Sequence, residues 1–160
     1  MTSHRERKST RLKTYDYTQT GAYFVTICTH NREHLFGEIV LDQMQLNHYG
    51  RIVHTQWQGL PSHYPHISID TFIVMPNHTH AIIIIHEQKQ HGLSEIIRNL
   101  KTYSAKQINQ LRDMANIAVW QRSFHDHIIR NEYSLNLIRQ YIIYNPALWE
   151  KDTFYDVGAG

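Results

Sequence analysis

The chain contains a single cysteine, Cys28, among 160 residues. One cysteine excludes an internal disulfide framework and a zinc site built from several cysteines. It also favours a cytoplasmic location, where thiols are kept reduced. No apolar run is long enough to cross a bilayer, since the block at residues 82–85 is far too short. The first residues lack the apolar core of a secretory signal, so we expect neither a membrane anchor nor export.

Charge is also scarce, at 19% charged residues and a net charge of +2, but it is unevenly placed. Residues 1–15 carry five basic side chains against one acid, Glu6, which leaves this segment at +4 and the rest of the chain at −2. A basic arm on a near-neutral body is typical of contact with phosphates, although a solubilising tail has the same composition. The basic residues are Arg5, Arg7, Lys8, Arg11 and Lys13.

The hydrophobic pattern predicts an α+β layout with helices packed on an antiparallel sheet. We expect a basic N-terminal arm at residues 1–20 and a single domain at residues 21–160. Strands are predicted at residues 22–28, 35–41, 67–74, from residue 78 onward, and at 119–129. Helices are predicted at residues 46–60, ended by Pro61, at 92–111 with Tyr103 on the inner face, and at 134–144 with Ser134 as N-cap.

The most informative segment is His78-Thr79-His80, followed at once by an apolar, β-branched run typical of a buried strand. The preceding Pro76-Asn77 pair favours a tight reversal between antiparallel strands. Because side chains alternate faces along a strand, both imidazoles are expected on one face and Thr79 on the other. Two such imidazoles, about 6 to 7 Å apart at Cα, can share one metal ion.

Spacing alone does not make these histidines ligands. The chain has 13 histidines, so about one His-x-His pair is expected by chance, and a second pair is present at His125 and His127. Each pair is open to two interpretations, as metal ligands or as hydrogen-bonded structural histidines.

Two further candidates lie near the end of the last predicted helix. Tyr141 and Asn145 are four residues apart and therefore share a face, one turn apart. Leu135, Ile138 and Ile142 form an adjacent apolar stripe that would hold this helix against the sheet. Tyr141 is then expected at the edge of the buried face. On the residues alone, the simpler interpretation is favoured, in which Tyr141 is a boundary tyrosine and Asn145 is a C-terminal cap.

Six segments of the chain carry a family resemblance. They are residues 11–17 (RLKTYDY), 21–29 (GAYFVTICT), 75–80 (MPNHTH), 100–106 (LKTYSAK), 120–130 (WQRSFHDHIIR) and 138–146 (IRQYIIYNP). In this order, over most of the chain, they resemble the REP-associated tyrosine transposases, a branch of the single-domain tyrosine HUH transposases related to small insertion-sequence enzymes.

The resemblance implies a ferredoxin-like antiparallel sheet with the His-hydrophobe-His motif on a central strand. His78 and His80 match the two histidine ligands, with Thr79 in place of the usual hydrophobe. Tyr141 matches the family nucleophile, and Asn145 matches the metal-binding side chain one turn later.

The activity implied by the resemblance is that of a metal-dependent endonuclease and strand transferase acting on single-stranded DNA beside a REP-like hairpin, through a 5′-phosphotyrosine intermediate. The mixed nitrogen and oxygen ligands suit Mg²⁺ or Mn²⁺, although ligand type alone does not exclude zinc. A non-catalytic DNA hairpin-binding protein on the same scaffold is the alternative. A monomer and a homodimer are both compatible with the sequence.

DNA contacts are expected outside the metal site as well. The five basic residues of the arm are candidates for phosphate contacts, and Tyr15 and Tyr17 for stacking on unpaired bases. Lys101 and Lys106 lie about 140° apart around their helix, so they do not form one patch. The second pair, His125 and His127, falls outside the family metal motif and is interpreted as structural or DNA-facing.

Overall fold

The computed structural model describes residues 20–89 and 91–151. The basic arm therefore lies almost wholly outside the described residues. The described elements are β1 (Gly21–Cys28), β2 (Gly37–Val40), β3 (Gln43–Leu46), α1 (His48–His63), β4 (Ile67–Met75), β5 (His78–Ile85), α2 (Leu93–Leu111), β6 (His125–Ile129) and α3 (Glu132–Ile143), with short 3-10 turns at His30–Arg32 and Trp149–Lys151. None of these helices is both long and apolar enough to span a bilayer.

Four strands form the main sheet, in the order β4-β5-β1-β6, and every neighbouring pair is antiparallel. With the separate β2–β3 hairpin and the C-terminal helix α3 set aside, the element order is β-α-β-β-α-β, which is that of a ferredoxin-like domain. The predicted α+β, ferredoxin-like fold is confirmed. The strand β5, which carries His78 and His80, is one of the two central strands.

The two faces of the sheet are covered by different helices. On β1, Tyr23, Val25 and Ile27 point into the larger core under α1 and α2, where β5 adds Ala81, Ile83 and Ile85. The alternate residues of the same strands face α3 and belong to a smaller cluster around Ile82, Ile129 and Ile142. Because β5 is covered on both faces, it is apolar along most of its length rather than alternating.

Two helix ends differ from the sequence prediction. The helix α1 continues past Pro61 to His63, because a proline in the last turn removes only one backbone donor and its fixed φ is helical. The helix α3 begins at Glu132, because Asn131 is the N-cap and accepts a hydrogen bond from the Ser134 N–H at 2.8 Å. Ser134 is therefore inside the helix and is not its cap.

The sequence prediction missed a second hairpin. The strand expected over residues 35–41 forms as the shorter β2, but its partner strand β3 was not predicted. The connecting residues Leu41 and Asp42 have φ values of 51° and 63°. Positive φ at both positions is what a two-residue hairpin turn requires. A leucine at such a position gives little turn signal, which is why the hairpin was missed.

The strand predicted over residues 119–129 is divided. Trp120 makes only an isolated bridge with Thr29, and continuous pairing begins at β6. The Trp120 indole N–H donates to the Ser104 hydroxyl at 2.9 Å, and this hydroxyl donates to the Leu100 carbonyl at 2.6 Å. Ser104 is therefore buried on the inner face of α2, whereas Tyr103, which was expected there, is 53% exposed.

The helix α3 is attached to the sheet by few buried side chains and one ion pair. Ile142 is its one fully buried residue. A bulge between Ile69 and Thr71 leaves Asp70 as an extra residue in β4. The Asp70 carboxylate accepts two hydrogen bonds from Arg139 of α3, from Nε at 2.9 Å and from Nη2 at 2.7 Å. This bidentate contact lowers the pKa of Asp70 below its usual value, against the opposing effect of burial.

Two glycines of α1 allow a matched test of packing. A Cβ at Gly50 would lie 2.2 Å from the carbonyl oxygen of Phe36, whereas a Cβ at Gly59 meets nothing within 4 Å. We expect Gly59→Ala to raise the free energy of unfolding by about 0.5–1 kcal/mol through helix propensity. Gly50→Ala should lower it by about 1–3 kcal/mol through overpacking. Urea denaturation of both variants measures the change in the free energy of unfolding relative to wild type. An equal increase in both variants would show that α1 does not pack as described.

The Asp70–Arg139 pair predicts an acid-labile part of the stability. Because the folded pKa of Asp70 is lowered, its contribution is complete above the unfolded-state pKa of about 4 and is lost as pH falls through the lower folded value. We therefore expect Asp70→Asn to lower the free energy of unfolding at pH 7. The difference in this free energy between the variant and wild type should become smaller as pH falls toward 3. Denaturation at both pH values, with Asp42→Asn in the exposed β2–β3 turn as control, checks this. A difference independent of pH would contradict it.

Candidate functional site

The structure brings His78 and His80 together on the face of the sheet that α3 covers. Their Nε2 atoms are 3.1 Å apart, and both side chains are buried. Thr79 points to the opposite face, where its hydroxyl accepts a hydrogen bond from the Trp57 indole N–H at 2.9 Å. The expected alternation along the strand is therefore confirmed. It also explains why a polar threonine is accommodated between the two histidines.

Hydrogen bonds to the outer ring nitrogens orient both imidazoles. His78 Nδ1 lies 2.8 Å from the side-chain carbonyl oxygen of Asn77, which can only accept, so Nδ1 carries the proton and Nε2 has a lone pair. His80 Nδ1 lies 2.8 Å from the hydroxyl of Thr26, which can accept in the same way. When both rings donate outward, the two Nε2 lone pairs converge on one point. Outer partners of this kind orient metal-binding histidines.

Burial keeps both imidazoles uncharged. It lowers the pKa of His78 to about 3, with an opposing effect from the Asn145 amide and a further lowering by the charge of Arg32. Burial likewise lowers the pKa of His80 well below its usual value, and His78 adds to the shift. Neutral imidazole is the form that binds metal, so the pair is available as ligands at physiological pH.

Asn145 contributes an oxygen to the same place. It follows α3 directly and is buried, and its Nδ2 donates to the Tyr141 carbonyl at 3.3 Å. Its Oδ1 is buried beside His78, whose pKa the Asn145 side chain raises, and makes no hydrogen bond of standard geometry with another described residue. A buried polar atom left without a partner costs about 1–3 kcal/mol, so this oxygen is suited to accept a hydrogen bond from water or to bind a cation.

Tyr141 lies at the rim of this group. Its ring centroid is 5.3 Å from that of His80 and 6.1 Å from that of Phe24, which it meets edge to face. Tyr141 is 41% exposed, whereas the adjacent Ile142 is buried. The position at the edge of the buried face is the one expected from the helical stripe. The ring is thus held by packing, while part of it is accessible to a large ligand.

The donor set fits a divalent cation. Two ligand nitrogens, each about 2.1 Å from one metal ion, are about 3 Å apart when the nitrogen–metal–nitrogen angle is 90°. The observed spacing of 3.1 Å is close to this. No group of three His, Cys, Asp or Glu side chains that could hold a metal occurs in the described part of the chain. A third protein ligand, if the pair held a cation, would be of another type, and the amide oxygen of Asn145 is placed to serve.

Several neighbours of the histidine pair were not foreseen from the sequence. Phe24 and Thr26 come from β1, and the Trp149 ring stacks on His78 with centroids 6.1 Å apart. The alternation of β1 predicts that Phe24 and Thr26 share a face. It does not predict that this face is the one with the histidines, because that depends on the pairing of β1 with β5, 54 residues away.

The second histidine pair is on the edge strand β6. His125 pairs with Thr26, and His127 pairs with Phe24, so both point to the same face as His78 and His80. Both residues are exposed, and one strand separates them from the buried pair. The interpretation of this pair as structural or DNA-facing stays a prediction.

The residues predicted to contact DNA lie outside the described residues, so their role stays a prediction. They are Arg5, Arg7, Lys8, Arg11, Lys13, Tyr15 and Tyr17.

Relatives of the chain include proteins of Haemophilus influenzae. An uncharacterized protein of this organism is 41% identical over 93% of each chain. A second one, named "Putative REP-associated tyrosine transposase", is 27% identical over 82% of this chain and 73% of its own length.

Solved structures share the fold. A REP-associated tyrosine transposase bound to a REP hairpin superposes with a TM-score of 0.61 at 23% identity, covering 86% of this chain and 73% of that chain. A "putative transposase" from Deinococcus radiodurans superposes with a TM-score of 0.52 at 16% identity, covering 84% of this chain and 96% of that chain.

The resemblance to REP-associated tyrosine transposases is thus confirmed. Residues 18–145 match the family described as IS200-like transposases, which is most of the chain and includes both histidines, Tyr141 and Asn145. The chain therefore belongs to the IS200-like transposase family.

Proposed function

We propose that this transposase is a metal-dependent endonuclease and strand transferase for single-stranded DNA near REP-like hairpins, with Tyr141 as nucleophile. Family membership implies cleavage of DNA. A relative named as REP-associated and a structural neighbour solved with a REP hairpin support the choice of substrate. The observation that carries the proposal is the meeting of the Tyr141 and His80 rings, 5.3 Å apart, beside the buried Asn145 oxygen.

In the proposed step the phenol oxygen of Tyr141 attacks the phosphorus of a phosphodiester. The bond between phosphorus and the 3′ oxygen breaks, the 3′ oxygen leaves and takes up a proton, and the 5′ phosphate stays on the tyrosine. The new bond is again a phosphodiester, so attack by another 3′ hydroxyl rejoins DNA without a nucleotide cofactor. A phenol has a pKa of about 10 and is a poor nucleophile at neutral pH, so the site must favour its deprotonation.

The chain's own residues supply orientation. Phe24 and His80 contact two sides of the Tyr141 ring, and Ile142 anchors the next position of α3 in the small core. The Asp70–Arg139 pair adds a second attachment two residues before Tyr141. A nucleophile held in place in this way avoids part of the entropy loss of the reaction.

The metal would be held by His78, His80 and Asn145. When bound there, Mg²⁺ or Mn²⁺ would withdraw charge from the non-bridging phosphate oxygens and favour the phenolate. Two neutral imidazoles and a neutral amide do not cancel the charge of a cation. This ligand set therefore favours an anionic phosphate as a further ligand.

The nucleophile is tested by covalent trapping. Labelled single-stranded DNA with a REP-like hairpin is incubated with the protein and Mn²⁺ or Mg²⁺, and the adduct is resolved by denaturing electrophoresis. We expect an adduct with wild type and with Tyr144→Phe, and none with Tyr141→Phe, because the Tyr141 ring lies 5.3 Å from the His80 ring. Tyr144 is a matched control, since it lies three residues on and is 59% exposed.

Two results would count against this assignment. An adduct that survives Tyr141→Phe shows that another residue is the nucleophile. Binding without an adduct, across several related hairpins, favours the non-catalytic hairpin-binding protein.

The metal ligands are tested by calorimetric titration with Mn²⁺, independently of activity. We expect His78→Ala and Asn145→Ala to weaken binding by roughly tenfold or more, since ligand loss has at least the effect of losing an outer-shell partner. Asn145→Asp should bind at least as tightly as wild type, because it keeps the oxygen and adds charge. His125→Ala, in the exposed pair, is the control. Equal loss in His78→Ala and His125→Ala would refute the assignment.

A further inference from the structure

A basic cleft lies between α2 and the segment that leads into β6. Its volume is about 270 Å³, and its polar lining is Ser94, Arg98, Lys101, Thr102 and Arg122. Three of these side chains are cationic and two carry hydroxyls. Among the described residues no acidic side chain lines the cleft. In a chain with net charge +2, this local excess of three positive charges is distinctive.

Helical spacing and one hydrogen bond assemble the cleft. Ser94, Arg98 and Lys101 recur at intervals of four and three residues, so they share the outer face of α2, away from its buried stripe. Lys101 Nζ donates to the Arg122 carbonyl at 2.9 Å, which attaches the loop to the helix. The three cations are therefore held close together although Arg122 is distant in sequence. Lys106, on the same helix, does not line this cleft.

Exposed cationic and imidazole groups continue from the cleft along β6. This strand is the edge of the sheet, next to the Arg122 loop, and His125, His127 and Arg130 are exposed on or beside it. His125 and His127 stand on the face that also carries Tyr141 and His80. A strand of nucleic acid can therefore run from the cleft over the edge strand to the proposed nucleophile. A single small anion would engage only the cleft.

We propose that this cleft binds backbone phosphates of the substrate DNA beside the cleaved strand. The proposal rests on the proposed function for the identity of the polymer. The ligand class follows from the site itself: guanidinium and ammonium groups with hydroxyl donors bind phosphate oxygens, and carry no sequence information directly. The cleft thus contributes affinity and register, while the reacting phosphate lies at the other face of the sheet.

The test is the salt dependence of DNA binding. The full-length protein is titrated with a fluorescent REP-like hairpin carrying a single-stranded flank, in EDTA so that no cleavage occurs, at several salt concentrations. We expect Arg98→Ala and Arg122→Ala each to weaken binding several-fold and to reduce the slope of log Kd against log[salt] by about 0.7–0.9, the value for one lost phosphate contact. Arg98→Lys should keep the wild-type slope, and Lys106→Ala is the matched control.

Arg98 and Arg122 are exposed, and circular dichroism melting verifies that the variants fold. Unchanged slopes in both arginine variants, or an equal change in Lys106→Ala, would overturn the proposal. Inorganic phosphate is added in a second series at constant ionic strength. If it displaces the DNA from wild type as effectively as unlabelled hairpin does, the cleft is a site for free phosphate instead.

These outcomes are separable from those of the nucleophile test. Binding in EDTA is measured without metal and without cleavage, so altered slopes without an adduct would support the cleft assignment and contradict the assignment of the nucleophile. An adduct that depends on Tyr141, together with unchanged slopes, would support Tyr141 as the nucleophile and contradict the assignment of the cleft.

Discussion

The pairing of β1 with β5 is the interaction on which the site depends. It aligns Thr26 with His80 and Cys28 with His78 in the middle of the sheet. There the imidazoles have neighbours on both sides and α3 above them, so water is excluded and both rings are neutral. A histidine pair on an edge strand lacks this environment. His125 and His127 have the same spacing and face, yet they are exposed.

The second constraint is the limited attachment of α3. This helix brings Tyr141 to the histidines, but its buried contacts are confined to a small cluster, to which the Asp70–Arg139 pair adds a polar attachment. Ile142 turns inward, and Tyr141 is consequently left at the rim. The role proposed for Tyr141 requires a side chain that is held in place and is also accessible to DNA. A boundary position on a helix with one buried stripe meets both requirements.

The elements of the fold were largely predictable because they depend on local patterns. The β-branched run of β5, the turn at Pro76-Asn77 and the apolar stripe of α2 each appear within a few residues, and all three are present. The errors have two causes. Trp120 is outside the expected strand because its indole bonds Ser104, a partner 16 residues away. The β2–β3 hairpin was missed because its local positive-φ pair, Leu41-Asp42, gives little turn signal in the sequence.

For the candidate site, local spacing is enough to show which chemistry is available. Strand alternation places two imidazoles on one face, and helical spacing places Tyr141 and Asn145 one turn apart. Tertiary packing brings these pairs together, buries the Asn145 oxygen, and buries His78 and His80 while it leaves His125 and His127 exposed. The spacing of residues fixes the direction in which side chains point from their own strand or helix. Their burial and charge state depend instead on which other elements pack against that strand or helix.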